Sequence, residues 1–345
     1  MSRRGRNAVT LHQVAKHIGV APMTVSRVLS GHQNVSGAMR QRVLAAVEAL
    51  GYLPDAAARS LASAETLKIG VLYGNPSATF SSEFLVGLLE NAAQLGCQLV
   101  LQKCSTPRTQ NTAVAKLLRG DIDGVVLPTP LCDSKRLLEV FEQALVPTVA
   151  VGTGRQDLPG LSLRIDNFHA AQQMTRYLLG LGHRAIGFIL GHASQIDSEQ
   201  RYQGFAAALA EAEIPMQRKW VKQGQYTYRS GLLVAEQLLR GPTRPTAIFA
   251  SNDDMAAGAV AAAHRLRLDV PRDLTIVGFD DTPLATTIWP TLTTIRQPVG
   301  ELIQRSLELL LGEVRNRRRG EPPEQKQETM TLTLVKRESA AAPPR

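Results

Sequence analysis

The sequence predicts an N-terminal all-α helix-turn-helix domain followed by a larger α/β body of two lobes, each built on a parallel open sheet. Three observations carry this prediction. Two short, apolar-striped helical segments meet at a glycine near the N-terminus; basic residues are in excess over that stretch; and beyond residue 67 apolar strand-like runs alternate with helical patterns in two successive series. With 345 residues, 44% hydrophobic and 20% charged, the chain has room for two or three domains and the composition of a folded protein, which excludes a disordered or collagen-like polymer.

The elements follow in order. In Thr10-Leu-His-Gln13 the hydroxyl can accept from a backbone N–H while Gln13 reaches back, the capping-box start of a helix. Leu11, Val14, Ala15 and Ile18 then form one stripe, and Gly19 ends it. Pro22, with its fixed φ, suits the first turn of a second helix with Val25, Val28 and Leu29 turned inward. Ser36 can cap a third, with Val43, Leu44, Val47 and Leu50 as its inner face and Gly51 and Pro54 as its stop. Residues 1–65 carry eight basic and three acidic side chains, a net of +5, while the other 280 residues carry only +4 of the total +9. A basic head on a nearly balanced body suits a polyanionic partner for the head alone. An Ala-rich stretch beginning at Pro54 is long enough for one short helix, which on its own would be unstable in water.

In the body, strands are predicted over 68–73, 98–101, 124–127 and 147–151, with a helix over 83–95. A second series follows: helix 167–179, strand 185–190, helix 200–212, strand 247–250, a helix from Met255 and strand 274–279. Ligands of such sheets sit outside the carboxyl ends of the strands, and two facing lobes make a cleft that hinge motion can close. No glycine-rich phosphate fingerprint follows a strand, so dinucleotide and P-loop nucleotide binding are not supported. Cys97, Cys104 and Cys132 are odd in number and lack C-x-x-C spacing, and the seven histidines show no ligand spacing; no cofactor or metal is expected. Without an export signal or a run of about 18 apolar residues, a soluble cytoplasmic protein is expected.

Thr10-Leu-His-Gln-Val-Ala15, Gly19-Val-Ala21, Thr24-Val-Ser-Arg-Val-Leu29, Val35-Ser36 and Leu50-Gly-Tyr-Leu-Pro54 follow, in order and spacing, the N-terminal pattern of the lactose-repressor (LacI) family, which the chain resembles. Ser251-Asn-Asp-Asp-Met-Ala-Ala-Gly258, Val277-Gly-Phe-Asp-Asp281, Pro290-Thr-Leu-Thr-Thr-Ile-Arg-Gln297 and Leu334-Val-Lys-Arg-Glu-Ser339 extend the resemblance to that family's periplasmic-binding-protein-like effector domain. Departures are Gln13 where the family usually has Asp, Ala21 where it has a capping Ser, and Asp55 where it has Asn. The resemblance implies a DNA-binding head over 8–53, a hinge over 54–66, a two-lobed effector and dimerisation domain over 67–339 and a disordered end over 340–345 without a tetramer helix. It implies a homodimeric transcription regulator, a repressor, that binds a palindromic operator at the bacterial nucleoid and answers to a small effector.

The resemblance places the second helix in the major groove. There Arg27 can bond guanine O6 and N7 together, worth about 1–3 kcal/mol of discrimination, its alternative being a phosphate contact. Pro22 and Met23 would read apolar base features, and Thr10, Thr24 and Ser26 would position on phosphates. Asn34, Ala58 and Leu61 complete the set, Leu61 as a minor-groove wedge or, alternatively, a linker residue packed on the body. In the body, Arg201, Tyr226, Asn252 and Asp280 match effector-contacting positions, with Phe80, Ser81 and Ser82 on the opposite lobe. Arginine donates, aspartate accepts, asparagine does both and a ring covers an apolar sugar face, a set suited to a sugar, then a sugar acid, then a purine. Asp280 and Asp281 have a duller alternative as caps or turn residues. The competing functions are an enzyme using the Asp253–Asp254 and Asp280–Asp281 pairs, and a transport-type binding protein, which the head and the missing export signal oppose.

Overall fold

A computed structural model describes residues 10–29, 36–50, 66–104 and 106–344. Asn34, Ala58, Leu61 and the hinge expected over 54–66, apart from Thr66, lie outside the described residues. The chain divides into two compact units: an N-terminal one through Leu67, with which residues 92–98 are grouped, and a body comprising the rest.

In the N-terminal unit, α1 (Leu11–Ile18) opens on a reciprocal cap, in which Thr10 Oγ1 accepts from Gln13 N at 3.3 Å and Gln13 Oε1 accepts from Thr10 N at 2.7 Å. Gly19, at φ +69°, takes the left-handed conformation that ends the helix. Ala21 has no hydroxyl, and α2 (Pro22–Leu29) begins with only its carbonyl accepting from Thr24 N at 2.9 Å. Ser36 Oγ accepts from Met39 N at 3.4 Å at the start of α3 (Gly37–Ala49). Val14, Ala15, Val25, Val28, Val43 and Ala46 form the core, flanked by Leu11, Ile18, Met39, Val47 and Leu50. Leu44, expected on the inner face, is instead 49% exposed. The inner stripe runs 39, 43, 46, 50, and at 100° per residue Leu44 turns away from it while Ala46 lies on it.

The body's first lobe contains β1 (Lys68–Tyr73), α4 (Ala78–Leu95), β2 (Gln98–Lys103), α5 (Pro107–Arg119), β3 (Gly124–Pro128), α6 (Lys135–Gln143), β4 (Thr148–Thr153) and β5 (Leu161–Ile165). The chain then crosses to a second lobe of α7 (Asn167–Gly180), β6 (Ile186–Leu190), α8 (Ile196–Glu211), β7 (Val221–Gln223), α9 (Tyr228–Leu239), β8 (Ala247–Ala250), α10 (Asp253–Arg265), β9 (Thr275–Val277), α11 (Leu284–Thr287) and β10 (Thr294–Arg296). It returns for α12 (Val299–Arg318) and β11 (Lys326–Met330), then crosses once more to β12 (Thr333–Val335). Among the described residues the lobes are therefore linked at three crossings, the arrangement that permits a hinge.

The first sheet has strand order β11-β5-β4-β3-β1-β2 and the second β7-β6-β8-β9, as the two-sheet expectation requires. Pairs such as β1 with β3 (Ile69 opposite Gly124) and β6 with β8 (Ile186 opposite Ala247) run parallel, while β10 and β12 form a separate antiparallel pair. In each sheet the first strand sits inside the order, so its two neighbours are reached by crossovers in opposite directions. A crevice opens at such a switch point, at β1/β3 in one lobe and β6/β8 in the other.

Strands buried on both faces explain the near-continuous apolar runs, as in β3, buried throughout. In the second lobe α9 and α10 approach backbone to backbone at Gly231 and Gly258, where a Cβ would come within 2.3 Å of Met255 O and 2.2 Å of Tyr228 O. The end expected to be disordered is instead held down over 340–344: the Ala341 carbonyl accepts from His183 Nε2 at 2.9 Å and Thr275 Oγ1 at 3.0 Å, and Ala341 N donates back to Thr275 Oγ1. Backbone polar groups with such partners fix a segment whose composition alone reads as loose.

Candidate ligand cavity and DNA-reading face

The facing switch points enclose a small cavity between them. From the first lobe Asn75, Ser77 and Phe80 follow β1 and Thr129 follows β3. From the second lobe Gln195, Asp197 and Arg201 follow β6, Tyr226 follows β7, Asn252 follows β8 and Asp280 follows β9, with Gln297 supplied by a crossing segment. The structure thus brings together Phe80, Arg201, Tyr226, Asn252 and Asp280 from those singled out in the sequence. Ser81 and Ser82 stand outside this wall, Ser81 Oγ donating instead to the Asn75 carbonyl at 3.3 Å.

The lobes are closed on each other across the cavity's edge. Ser77 Oγ and Thr79 Oγ1 both donate to Asp254 Oδ2, at 2.5 and 3.0 Å, and Gln200 Nε2 donates to the Gly154 carbonyl at 2.9 Å.

Arg201 is 2% exposed and its fork is directed at the protein. Nε donates to Asn167 Oδ1 at 2.8 Å, Nη1 to the Ser251 carbonyl and, at 3.4 Å, to Asp280 Oδ1, and the guanidinium lies 3.7 Å from the centre of the Phe279 ring. Burial opposes the charge on this arginine, but the surrounding groups, Asp280 and Asp197 among them, outweigh it and raise its pKa. Asn252 is also engaged: Oδ1 caps α10 by accepting from Met255 N at 3.0 Å, and Nδ2 holds the Tyr226 carbonyl at 3.1 Å. Tyr226 takes a left-handed φ of +60° that this tether supports, and its ring closes over Gly191, where a Cβ would lie 2.0 Å from the ring.

Asp280 accepts from Gln297 Nε2 at 2.6 Å, and burial pushes its carboxyl up to about 7 against the opposing pull of Arg201 and Gln297. Burial likewise raises the Tyr226 hydroxyl well above its ordinary range. Three buried polar atoms on the cavity wall, Gln195 Oε1, Tyr226 OH and Gln297 Oε1, make no hydrogen bond of normal geometry. Native interiors rarely leave such atoms unmatched except where a ligand or water completes them.

The other aspartates are committed to the fold. Asp253 accepts from Thr282 N and Thr294 Oγ1, at 2.8 and 2.7 Å, and burial drives its carboxyl well above the usual range. Burial works against ionisation of Asp281, yet Arg337 and Arg296, each at 2.6 Å, prevail and hold it below that range. Neither sequence-adjacent pair therefore presents two carboxyls to one cavity. Among the described residues no group of His, Cys, Asp or Glu is arranged to hold a metal ion, and no helix is long and apolar enough to cross a membrane.

On the head, Met23 is 63% exposed and Arg27 is exposed one turn further along the same face of α2, with Val25 and Val28 buried opposite. Pro22, Thr24 and Ser26 are partly exposed, and Thr10 is exposed while capping α1.

A helix-turn-helix unit with a cationic outward face, followed by a two-lobed body enclosing a polar cavity, defines a ligand-responsive DNA-binding regulator. Comparison with known proteins agrees: residues 10–55 match the model for bacterial regulatory proteins of the lacI family, and 175–340 the periplasmic binding protein-like domain. The chain is 35% identical over 316 residues to the HTH-type transcriptional repressor PurR of Photorhabdus laumondii, covering 90% of this chain and 91% of that protein. This protein belongs to the LacI family of transcriptional regulators. It superposes on a lac repressor dimer bound to operator and the anti-inducer ONPF with a TM-score of 0.71 at 29% identity, covering 97% of this chain and all of that one (100%). On a complex of the transcriptional regulator CelR with cellobiose the TM-score is 0.70 at 28% identity, covering 96% and 99%. These relatives are regulators, and the enzymatic reading is set aside.

The sequence reading missed Asn75, Ser77, Thr129, Gln195, Asp197 and Gln297. Gln297 closes one of the quoted motifs and Asp197 precedes Arg201 by one helical turn, signals that placed them near the site without giving them a role.

Proposed function

We propose that this chain is a homodimeric repressor whose operator affinity is set by a small sugar-type effector held between the lobes. The observation that carries the effector class is the set of unmatched atoms on the cavity wall: two are amide oxygens, which only accept, and the third is a hydroxyl. A ligand rich in O–H donors, with an apolar face for the Tyr226 ring, completes them. A sugar acid is less suited, because the donors of Arg201 are already directed to protein acceptors. A purine is the second reading, favoured by the Tyr226 ring on which a base could stack.

In this reading Arg27 reads a base edge, Pro22 and Met23 touch apolar base features, and Thr10, Thr24 and Ser26 position on phosphates, with Asn34, Ala58 and Leu61 as further contacts. Exposed Val86, Leu89 and Trp289 on the body, at 54%, 53% and 71%, support pairing with a second copy, which a palindromic operator requires. The ligand acts by preferring one lobe arrangement, so the three crossings carry its effect toward the head. A mobility-shift assay on a palindromic fragment selected in vitro tests this: binding should weaken steeply with salt and change on addition of one sugar. Binding that ignores every sugar and responds to a purine base would replace the reading.

A further inference from the structure

The first residue of β1, Lys68, exchanges two bonds with Asp123, which directly precedes β3: Asp123 N donates to the Lys68 carbonyl at 2.8 Å, and Lys68 N donates to Asp123 Oδ2 at 2.7 Å. The second carboxylate oxygen, Oδ1, accepts from Nη2 of Arg318, the last residue of α12, at 2.6 Å. One side chain therefore ties the start of the body's chain to the end of a distant helix. The helix is closely seated there, since a Cβ on Gly124 would come within 3.0 Å of Leu310 and 3.2 Å of Val314.

The other end of α12 belongs to the cavity. Gln297, on the cavity wall, holds Asp280 twice, through Nε2 to Oδ1 at 2.6 Å and through its backbone N to the Asp280 carbonyl at 3.1 Å. Its own carbonyl accepts from Val299 N, the first residue of α12, at 2.9 Å. The 20 residues of α12 span about 30 Å, and a packed helix displaced at one end slides as a body instead of compressing. Resting on the reading that occupancy of the cavity sets operator affinity, we propose that Asp123 is a positioning residue of that control. It passes a shift of α12, begun at Gln297 when a ligand rearranges the bonds to Asp280, to Lys68 and so to the chain that leads to the head. Arg317, one residue before Arg318, pairs instead with Glu313 of its own helix at 2.6 Å and stands off this route.

The test is a double-mutant cycle on operator affinity, read by fluorescence anisotropy of a labelled palindromic fragment selected in vitro, with the full chain and no added ligand. Gln297→Ala is expected to change operator affinity about fivefold or more in the wild-type background, and less than about twofold when Asp123→Asn or Arg318→Gln breaks the clamp from either side. Arg317→Gln should leave the Gln297→Ala shift intact. A shift of equal size in every background, a shift lost equally with Arg317→Gln, or none in the wild type overturns the assignment. The cavity reading then stands if D-glucose, D-galactose, D-ribose, cellobiose or hypoxanthine alters wild-type operator affinity, and falls as well if none does. Arg318 is 46% exposed, so Arg318→Gln keeps the cycle readable even if Asp123→Asn fails to fold.

Discussion

Replacing Asp280 by Asn should make the protein's stability less dependent on pH, in a direction the site fixes. In the folded state the Asp280 carboxyl titrates at about 7, whereas in the unfolded chain it titrates near its ordinary 3.8. Burial is the cause. Arg201 and Gln297 pull against it, while Asp197 and Asp254 add to it. Between these values the folded protein holds a proton that the unfolded chain releases, so stability falls as pH rises through the window and levels off above pH 7. Each pH unit is worth at most about 1.4 kcal/mol, and since the slope halves as pH reaches 7, the wild type should lose about 2 kcal/mol between pH 5 and 7 through this group alone. Asp280→Asn removes that titration while preserving the side chain's shape. At pH 5 the two proteins should be close in stability, and by pH 7.5 the variant should be the more stable. Urea unfolding followed by tryptophan fluorescence reads this directly, since Trp220 and Trp289, the protein's two tryptophans, both lie in the second lobe with Asp280. A difference between the proteins that stays constant from pH 5 to 8, or grows in favour of wild type with rising pH, would refute the reasoning.

Other perturbations test other parts of the molecule. Arg27→Ala should cost about 1–3 kcal/mol at one operator position, measured by competition with single-base variants; a uniform loss across all sequences would make Arg27 a phosphate contact. Gly258→Ala places a Cβ 2.2 Å from the Tyr228 carbonyl, against backbone that cannot turn aside, and should lower unfolding free energy by about 1–3 kcal/mol in the same urea assay. Asp254→Ala removes the acceptor of both Ser77 and Thr79, so closure weakens and the affinity of whichever sugar binds should fall about tenfold by calorimetry, an unchanged affinity meaning that these bonds do not hold the lobes together.

Much of the architecture was legible in the sequence because it depends on local chemistry. Thr10 and Gln13 cap each other at three residues' separation, Gly19 turns left-handed where a helix must stop, and the apolar runs of both sheets are long because parallel strands are buried on both faces. Leu44 misled because a one-dimensional stripe does not say which positions a neighbouring helix approaches. The 20-residue α12 was not anticipated at all, although Val299, Leu302, Ile303, Leu307, Leu310, Leu311 and Val314 recur at helical spacing and are buried. The cavity was legible only in part for a different reason. Asp280 stands in a quoted motif and Arg201 matches a family position, but Gln195, Asp197 and Gln297 gain their place only when the ends of β6 and β9 and a crossing segment converge, and Asn252 and Arg201, which read as ligand contacts, spend their polar atoms holding Tyr226, α10, Asn167 and the Ser251 carbonyl. The tail at 340–344 shows the same limit, since nothing in Ala-Ala-Ala-Pro-Pro announces His183 and Thr275 as its anchors.

Occupancy of the cavity between the lobes is proposed to be coupled to DNA binding by the head. Fluorescence anisotropy of a labelled operator fragment, titrated with the full chain at fixed salt with and without a saturating sugar identified by calorimetry, measures that coupling. A change in operator affinity of about five- to 150-fold, the usual range of coupling between two sites, is expected, together with its loss in Arg201→Ala. A sugar that saturates the cavity and leaves operator affinity unchanged would contradict it.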